Sequence, residues 1–130
     1  MTKDQTKYVD GFVLIVPKEK VQEYTKMASE GRDMWMKHGA LEYYECMGDD
    51  LNAQEMGGMK TLTFPDLAKA NADETGWFSF IVFESKQHRD EVNKKVMEEM
   101  SEKHQDAQDF SMPFDMARLA YGGFQVIVAK

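Results

Sequence analysis

Two stretches of the sequence, Phe12-Val13-Leu14-Ile15-Val16 and Trp77-Phe78-Ser79-Phe80-Ile81-Val82-Phe83, predict strands with almost no polar side chain on either face. A strand with one face in water alternates apolar and polar residues, so a strand that is apolar throughout has to be covered on both sides. The sequence offers two long helices, which are enough to cover one face of a small sheet. We therefore predict that a second copy of the chain covers the other face, and that the protein is a homodimer.

Composition excludes several classes of partner. The 130 residues predict a single domain, large enough to form a core without disulfides or metals, and Cys46 is the only cysteine. A net charge of −7 argues against binding nucleic acid or an anionic membrane. Residues 1–7 lack the apolar segment of a secretory signal, and no apolar run approaches the roughly 20 residues that span a bilayer. We expect a cytoplasmic protein with no nucleic-acid or membrane partner.

The chain divides into two halves with the same order of elements. The first half predicts a strand over 8–16, an amphipathic helix from Val21 to His38 that Gly39 ends, and a strand over 41–47. The second predicts a strand over 77–84, a helix capped by Ser85, and a last strand over 124–128. This repeat is the split βαβ pattern of a ferredoxin-like α+β domain with an antiparallel sheet. Right-handed crossovers place the first and third strands in its centre.

Two long connections interrupt this plan, and long ordered connections often carry function. The insertion 49–75 predicts a short strand over 59–64, entered through Gly57-Gly58 and ended by Pro65, and then a helical turn over 66–70. The second connection, 105–119, leads to Gly122-Gly123, where we predict a bend or bulge before the last strand.

A resemblance to a known family runs over nearly the whole chain. It rests on the segments Tyr8-Val9-Asp10-Gly11-Phe12, His38-Gly39-Ala40-Leu41-Glu42-Tyr43, Glu45-Cys46-Met47-Gly48-Asp49-Asp50, Val92-Asn93-Lys94-Lys95-Val96-Met97, and Met112-Pro113-Phe114-Asp115 followed by Arg118 and Tyr121-Gly122-Gly123-Phe124. Together these segments resemble the signatures of the uncharacterised YbaA-like family, a bacterial domain of unknown function. The resemblance implies a dimeric α+β barrel in which two ferredoxin-like sheets pack face to face. It brings no established activity and no proven catalytic residue.

Asp10, His38 and Tyr43 are candidates for binding a ligand. Asp10 lies on a buried strand, where a carboxylate either transfers protons or forms a hydrogen bond near Gly11. His38 ends the first helix, where it either joins a metal site with Glu45 or Asp115 or interacts favourably with the helix dipole. Tyr43 belongs to the residue types that anchor a core or an interface more often than they catalyse a reaction.

Phe114, Asp115 and Arg118 complete the candidate set. Three residues apart on a helical turn, Asp115 and Arg118 face the same side and are able to pair. Beside Phe114, they either present a carboxylate and a cation to a small ligand at the mouth of the barrel, or pin the loop as a structural ion pair. The sequence contains no GxGxxG, P-loop, HExxH, GxSxG or CxxC motif. We therefore expect neither a metal nor another cofactor.

Three kinds of function fit these observations. The first is a protein that binds a small molecule in or beside the barrel. The second is a cofactor-free oxygenase or isomerase, by analogy with other proteins of the same architecture, although one fold supports many functions. The third is a structural or interaction protein without a ligand. A long apolar cavity that contains one ionisable group would favour the enzyme, and a cavity filled by side chains would favour the third.

Overall fold

The protein is a mixed α+β structure built around one sheet. A computed structural model describes residues 6–52, 55–103 and 112–130. In chain order the strands and helices are β1 (Tyr8–Pro17), α1 (Val21–Lys37), β2 (Glu42–Met47), β3 (Glu55–Met56), β4 (Met59–Lys60), α2 (Phe64–Ala68), β5 (Glu74–Phe83), α3 (Lys86–Lys103) and β6 (Ala120–Gln125).

Four of these strands form an antiparallel sheet in the order β2-β5-β1-β6. The two long strands that are apolar on both faces are the central pair, as predicted. The sheet does not close on itself, because β2 and β6 are its edges. The remaining strands, β3 and β4, form a separate hairpin.

Both long helices pack on the same face of the sheet. A first core cluster joins α1 to the sheet and consists of Leu14, Val16, Tyr24, Ala28 and Trp77. A second cluster joins α3 to the sheet and consists of Ala40, Ile81, Phe83, Val92 and Val96. Each helix therefore buries an apolar stripe against the sheet, which includes Tyr24 and Ala28 on α1 and Val92 and Val96 on α3. After α1 the chain turns at Gly39, whose φ of 114° is a conformation that favours glycine, as expected for a residue that ends a helix.

The last strand lies earlier in the chain than predicted. We expected it over 124–128, but β6 begins at Ala120 and contains Gly122-Gly123 within its length. These glycines make room for aromatic rings instead of bending the strand. A β-carbon on Gly11 would lie 3.3 Å from the ring of Phe124, and one on Gly123 would lie 2.6 Å from the hydroxyl of Tyr8.

The insertion contains a hairpin and a short helix, and the predicted strand over 59–64 was too long. β3 and β4 pair on either side of Gly57-Gly58, whose φ angles of 62° and 84° suit a tight hairpin turn. Pro65 does not end a strand but lies in the first turn of α2, where a missing N–H group costs nothing. Thr63 caps this helix by accepting a hydrogen bond from the amide of Asp66.

The second long connection is described only in its later part, since residues 104–111 lie outside the described ranges. Its later residues form a 3-10 turn at Met116–Arg118 that leads into β6. Within the described ranges, no helix combines the length and the apolar character that crossing a membrane requires.

The helix-covered core should dominate stability. Val96 is fully buried in α3, whereas its neighbour Met97 is 52% exposed. We expect Val96→Ala to lower the free energy of unfolding by about 2 kcal/mol, since it removes two buried methyl groups and leaves a small cavity. Met97→Ala is the matched control and should change it by less than about 0.5 kcal/mol. Urea unfolding measures both changes, and equal losses would contradict this assignment of the core.

Candidate functional site

The face of the sheet opposite α1 and α3 is apolar, and we call it the open face. Strand register assigns side chains to it, because residues that alternate along a strand point to opposite sides. Its apolar members are Val9, Val13, Ile15, Tyr44, Cys46, Phe78, Phe80, Val82, Ala120 and Phe124. Several large side chains among them reach solvent: Phe78 is 46% exposed, Tyr44 is 48% exposed and Phe124 is 62% exposed.

Four aromatic rings form a continuous row across this face. The ring centroids are 6.4 Å apart for Phe64 and Phe78, 5.7 Å for Phe78 and Phe80, and 5.2 Å for Phe80 and Tyr44. The row begins on α2 and crosses β5 to the edge strand β2. Contiguous apolar surface of this kind marks a site that binds a partner or a ligand.

One end of the open face forms a cleft of about 470 Å³. Its walls come from the sheet, from α2 and from the turn that follows β2; we call it the α2 cleft. The lining residues are Val13, Cys46, Met47, Gly48, Asp49, Asp50, Leu51, Phe64, Ala68, Gly76, Trp77 and Phe78. The volume lies in the range of small-molecule sites, and an apolar wall with a few polar groups is typical of them.

Asp10 lies on the other side of the sheet and is only 1% exposed. Its carboxylate accepts a hydrogen bond of 2.7 Å from Arg89 and one of 3.4 Å from Asn93, both on α3. The same nitrogen of Arg89 donates to the hydroxyl of Tyr121, and the guanidinium lies over the ring of Tyr8. The carboxylate is therefore held between α3 and the sheet by the positive charge of Arg89 and by hydrogen bonds.

Tyr43 also lies on the helix-covered face, in a cluster around Glu45. The hydroxyls of Tyr24 and Tyr43 each donate a 2.7 Å hydrogen bond to this carboxylate, and Ser79 donates a third. Burial, followed by the negative charge of Glu45, raises the pKa of Tyr24 and of Tyr43 well above the ordinary value of a tyrosine. Both hydroxyls therefore stay protonated at neutral pH and act as hydrogen-bond donors.

His38 joins the end of α1 to α3. Its Nε2 atom lies 2.7 Å from a carboxylate oxygen of Glu99, which also contacts Lys37 and Lys103. Hydrogen bonds from His38 first, and then from the two lysines, lower the pKa of Glu99 to about 2. Neither Glu45 nor Asp115, the acids considered as metal ligands beside His38, is among these contacts. No group of three or more His, Cys, Asp or Glu in the described ranges is placed to hold a metal ion.

The pairing of Asp115 with Arg118 forms as expected, at 2.7 Å, but it belongs to a larger cluster. Arg118 also donates two hydrogen bonds to Glu74, at 2.8 and 2.6 Å, and one to the carbonyl of Lys69. The Nη1 and Nη2 atoms thus tie the last connection to β5 and to the end of α2, while Nε holds Asp115 within the connection itself. Phe114 packs edge-on against Tyr24, next to the first core cluster. This geometry fits the structural alternative for the pair.

The six predicted candidates therefore do not form one site. They lie in four separate clusters, which centre on Asp10, Glu45, Glu99 and Arg118. None of the six lines the α2 cleft. The main partners that we missed are Arg89 and Asn93, which share the inner side of α3 with Val92 and Val96. That spacing was a usable signal, because a polar residue on an inner helical stripe requires a buried partner. Leu51, Phe64 and Ala68 of the cleft belong to the insertion, where the sequence has no periodic pattern.

Removing the partner of Asp10 should destabilise the fold strongly. We expect Arg89→Met to lower the free energy of unfolding by roughly 3 to 5 kcal/mol, since it leaves a buried carboxylate without its cation. Asp10→Asn combined with Arg89→Met should recover part of the loss. Arg32→Met, which removes an exposed arginine paired with Asp33, serves as the control and should change stability by less than about 1 kcal/mol. Equal effects of the two single variants in urea unfolding would contradict the assignment.

The Arg118 cluster should make stability depend on pH in the acid range. Hydrogen bonds from the Arg118 side chain first, and then from the backbone N–H of Asn71, lower the pKa of Glu74 from 4.5 to about 2. A lowered folded-state pKa stabilises the fold above pH 4.5, and this contribution is lost as the pH falls toward 2. We expect Arg118→Gln to be less stable than the wild-type protein at neutral pH. Its free energy of unfolding should also fall less steeply between pH 4.5 and pH 2. Arg32→Gln should keep the wild-type pH dependence in the same urea titrations.

Comparison with known proteins agrees with the resemblance noted in the sequence. The profile of a family described as "Protein of unknown function (DUF1428)" matches residues 7–116. Proteins named "Uncharacterized protein YbaA" from Escherichia coli (strain K12) and from Shigella flexneri are each 38% identical to the chain over 122 residues. The alignment covers 94% of this chain and 97% of each relative.

Solved structures add no argument about the fold. A de novo designed protein, Foldit4, aligns with a TM-score of 0.43 at 9% identity, over 93% of this chain and 99% of the designed chain. This similarity is too low to support a conclusion. The family profile and the relatives together cover most of the sequence, and the predicted YbaA-like resemblance is confirmed. The chain therefore belongs to the DUF1428 family of proteins of unknown function.

Proposed function

We propose that two copies of this chain associate through their open faces into a dimeric α+β barrel of ferredoxin-like subunits. We further propose that this cytoplasmic homodimer binds a small molecule in or beside the barrel. The observation that carries the proposal is the exposed aromatic row of Phe64, Phe78, Phe80 and Tyr44. Without a cover, Phe64, Phe78 and Tyr44 stay about half exposed to water, on the face opposite α1 and α3.

The connections of the sheet support the ferredoxin-like assignment. α1 links β1 to β2, and β5 lies between those two strands in the sheet. α3 precedes β6 and follows β5, and β1 lies between those two strands. Both halves therefore have the arrangement of a split βαβ unit, in which a neighbouring strand separates the two that the helix joins.

The charge and size of the open face suit self-association. The chain carries a net charge of −7, so two copies need a contact surface with few acids. Among the strand residues assigned to the open face, the acids are Glu42 on the edge strand and Glu74, which Arg118 neutralises. Two strands of ten residues and two of six present a flat area on the order of 500 Å², which side-chain relief raises toward the roughly 800 Å² per partner of a stable interface.

The α2 cleft supports the binding of a small molecule. It opens on the same face of the sheet as the aromatic row, since Val13, Cys46 and Phe78 line the cleft and also belong to the open face. The enzyme alternative needs an ionisable group inside the barrel. Asp10 gives it no support, because it lies on the opposite side of the sheet and is paired with Arg89.

Disrupting the open face should separate the dimer. We expect light scattering of the wild-type protein at micromolar concentration to report a mass near twice 15.0 kDa. Phe78→Glu should give a monomer at the same concentration, because it places a charge in the middle of the interface of both copies.

Met97→Glu is the matched control, since Met97 is exposed to a similar extent on α3, behind the opposite face. This variant should remain a dimer. A wild-type monomer, or dissociation of both variants alike, would overturn the proposed association.

A further inference from the structure

We propose that the α2 cleft binds the apolar body of a small neutral or positively charged molecule and disfavours carboxylates and other anions. This inference deepens the proposed function, on which it rests, by naming the site and the class of ligand. It concerns a cleft that lies within one copy of the chain, so binding can be tested separately from dimerisation.

The walls of the cleft are suited to an apolar group. Phe64 and Ala68 of α2, with Val13 and Phe78 of the sheet, line a space of about 470 Å³. Burying apolar ligand surface against such walls is favourable, roughly in proportion to the area removed from water. The size admits a molecule of about one ring with a short chain.

The shape of the cleft depends on Gly48. The amide of Gly48 donates a 2.7 Å hydrogen bond to the carbonyl of Gly76, which holds the turn after β2 against β5. Leu51 folds back over this pair, and a β-carbon on Gly48 would collide with its side chain. The wall is therefore formed by the backbone as well as by side chains, and the cleft is largely preformed.

Charge selects among the molecules that fit. Asp49 and Asp50 line the cleft and are exposed, and none of the twelve lining residues is basic. A cation on the ligand would gain attraction from both carboxylates, whereas an anion would meet repulsion in a chain that is already acidic. The selection depends on ionic strength, because salt screens exposed charges over about 10 Å at 0.1 M.

Three probes with the same apolar body, a phenyl ring and three methylenes, and different head groups test the class of ligand: phenylpropylamine, phenylpropanol and phenylbutyrate. Calorimetric titration of the wild-type protein at low salt should show binding of the amine and the alcohol. The amine should bind tightest, and about tenfold more tightly than the carboxylate. Raising the salt should narrow this ratio. Tighter binding of phenylbutyrate, or no binding of any probe at millimolar concentration, would overturn the inference.

Variants locate the site. Ala68→Phe fills the cleft from α2 and should weaken the amine and the alcohol about tenfold or more, whereas Ala117→Phe, on an exposed turn outside the cleft, should not. Asp49→Asn with Asp50→Asn should remove the preference for the amine over the carboxylate. Glu23→Gln with Glu30→Gln removes two exposed acids of α1 and should leave it intact. Unchanged affinity in Ala68→Phe, or equal effects of the two double variants, would contradict the assignment.

Methyl NMR of the wild-type protein provides a readout that needs no variant to fold. The amine should shift the methyl resonances of Val13, which lines the cleft, and leave that of Met97 unchanged. A shift of Met97 alone would overturn the inference. Light scattering on the same samples separates the two proposals: a dimer that binds no probe contradicts only the ligand class, and a monomer that binds the amine contradicts only the dimeric barrel.

Discussion

Ten consecutive residue pairs join β1 to β5, from Tyr8 opposite Phe83 to Pro17 opposite Glu74. This pairing decides on which face every central side chain lies, because the side-chain period of a strand is two residues. A slip of one residue would move Asp10 onto the open face and away from Arg89. The buried ion pair therefore acts together with the apolar contacts to define one register, a role that buried polar groups have in other folds.

Much of the fold could be predicted because it depends on local patterns. The runs Phe12–Val16 and Trp77–Phe83 predicted the central strands, since only a strand covered on both sides can be apolar throughout. Apolar residues at helical spacing predicted the two long helices, because an apolar stripe on a helix has to be buried against another element. The last strand was misplaced because glycines usually bend a strand, whereas here Gly122 and Gly123 accommodate the rings of Phe124 and Tyr8. That packing joins distant parts of the chain and leaves no local pattern.

The candidate site could not be predicted for the same physical reason. Arg89 lies 79 residues from Asp10, and Arg118 lies 44 residues from Glu74. The helical position of Arg89 indicates that it needs a buried partner, but separations of this length do not reveal which residue that partner is. Each carboxylate that attracted attention is engaged in holding elements together, whereas the α2 cleft is built from ordinary apolar residues of the insertion. Ionisable residues are conspicuous in a sequence, but the candidate residues mainly form contacts that hold the helices and connections to the sheet.

The position of β6 has a consequence for how the chain is made. Tyr8 pairs with Gln125, and the amide of Val126 donates to the carbonyl of Lys7, so strands that lie more than 100 residues apart in the sequence are neighbours in the finished sheet. During synthesis β1 is made before β6 and lacks this neighbour until β6 has also left the ribosome. In that interval an apolar strand has an unpaired edge, which is a template for pairing with another chain. The high sequence separation of these contacts also slows folding, which prolongs the interval in which this edge is exposed.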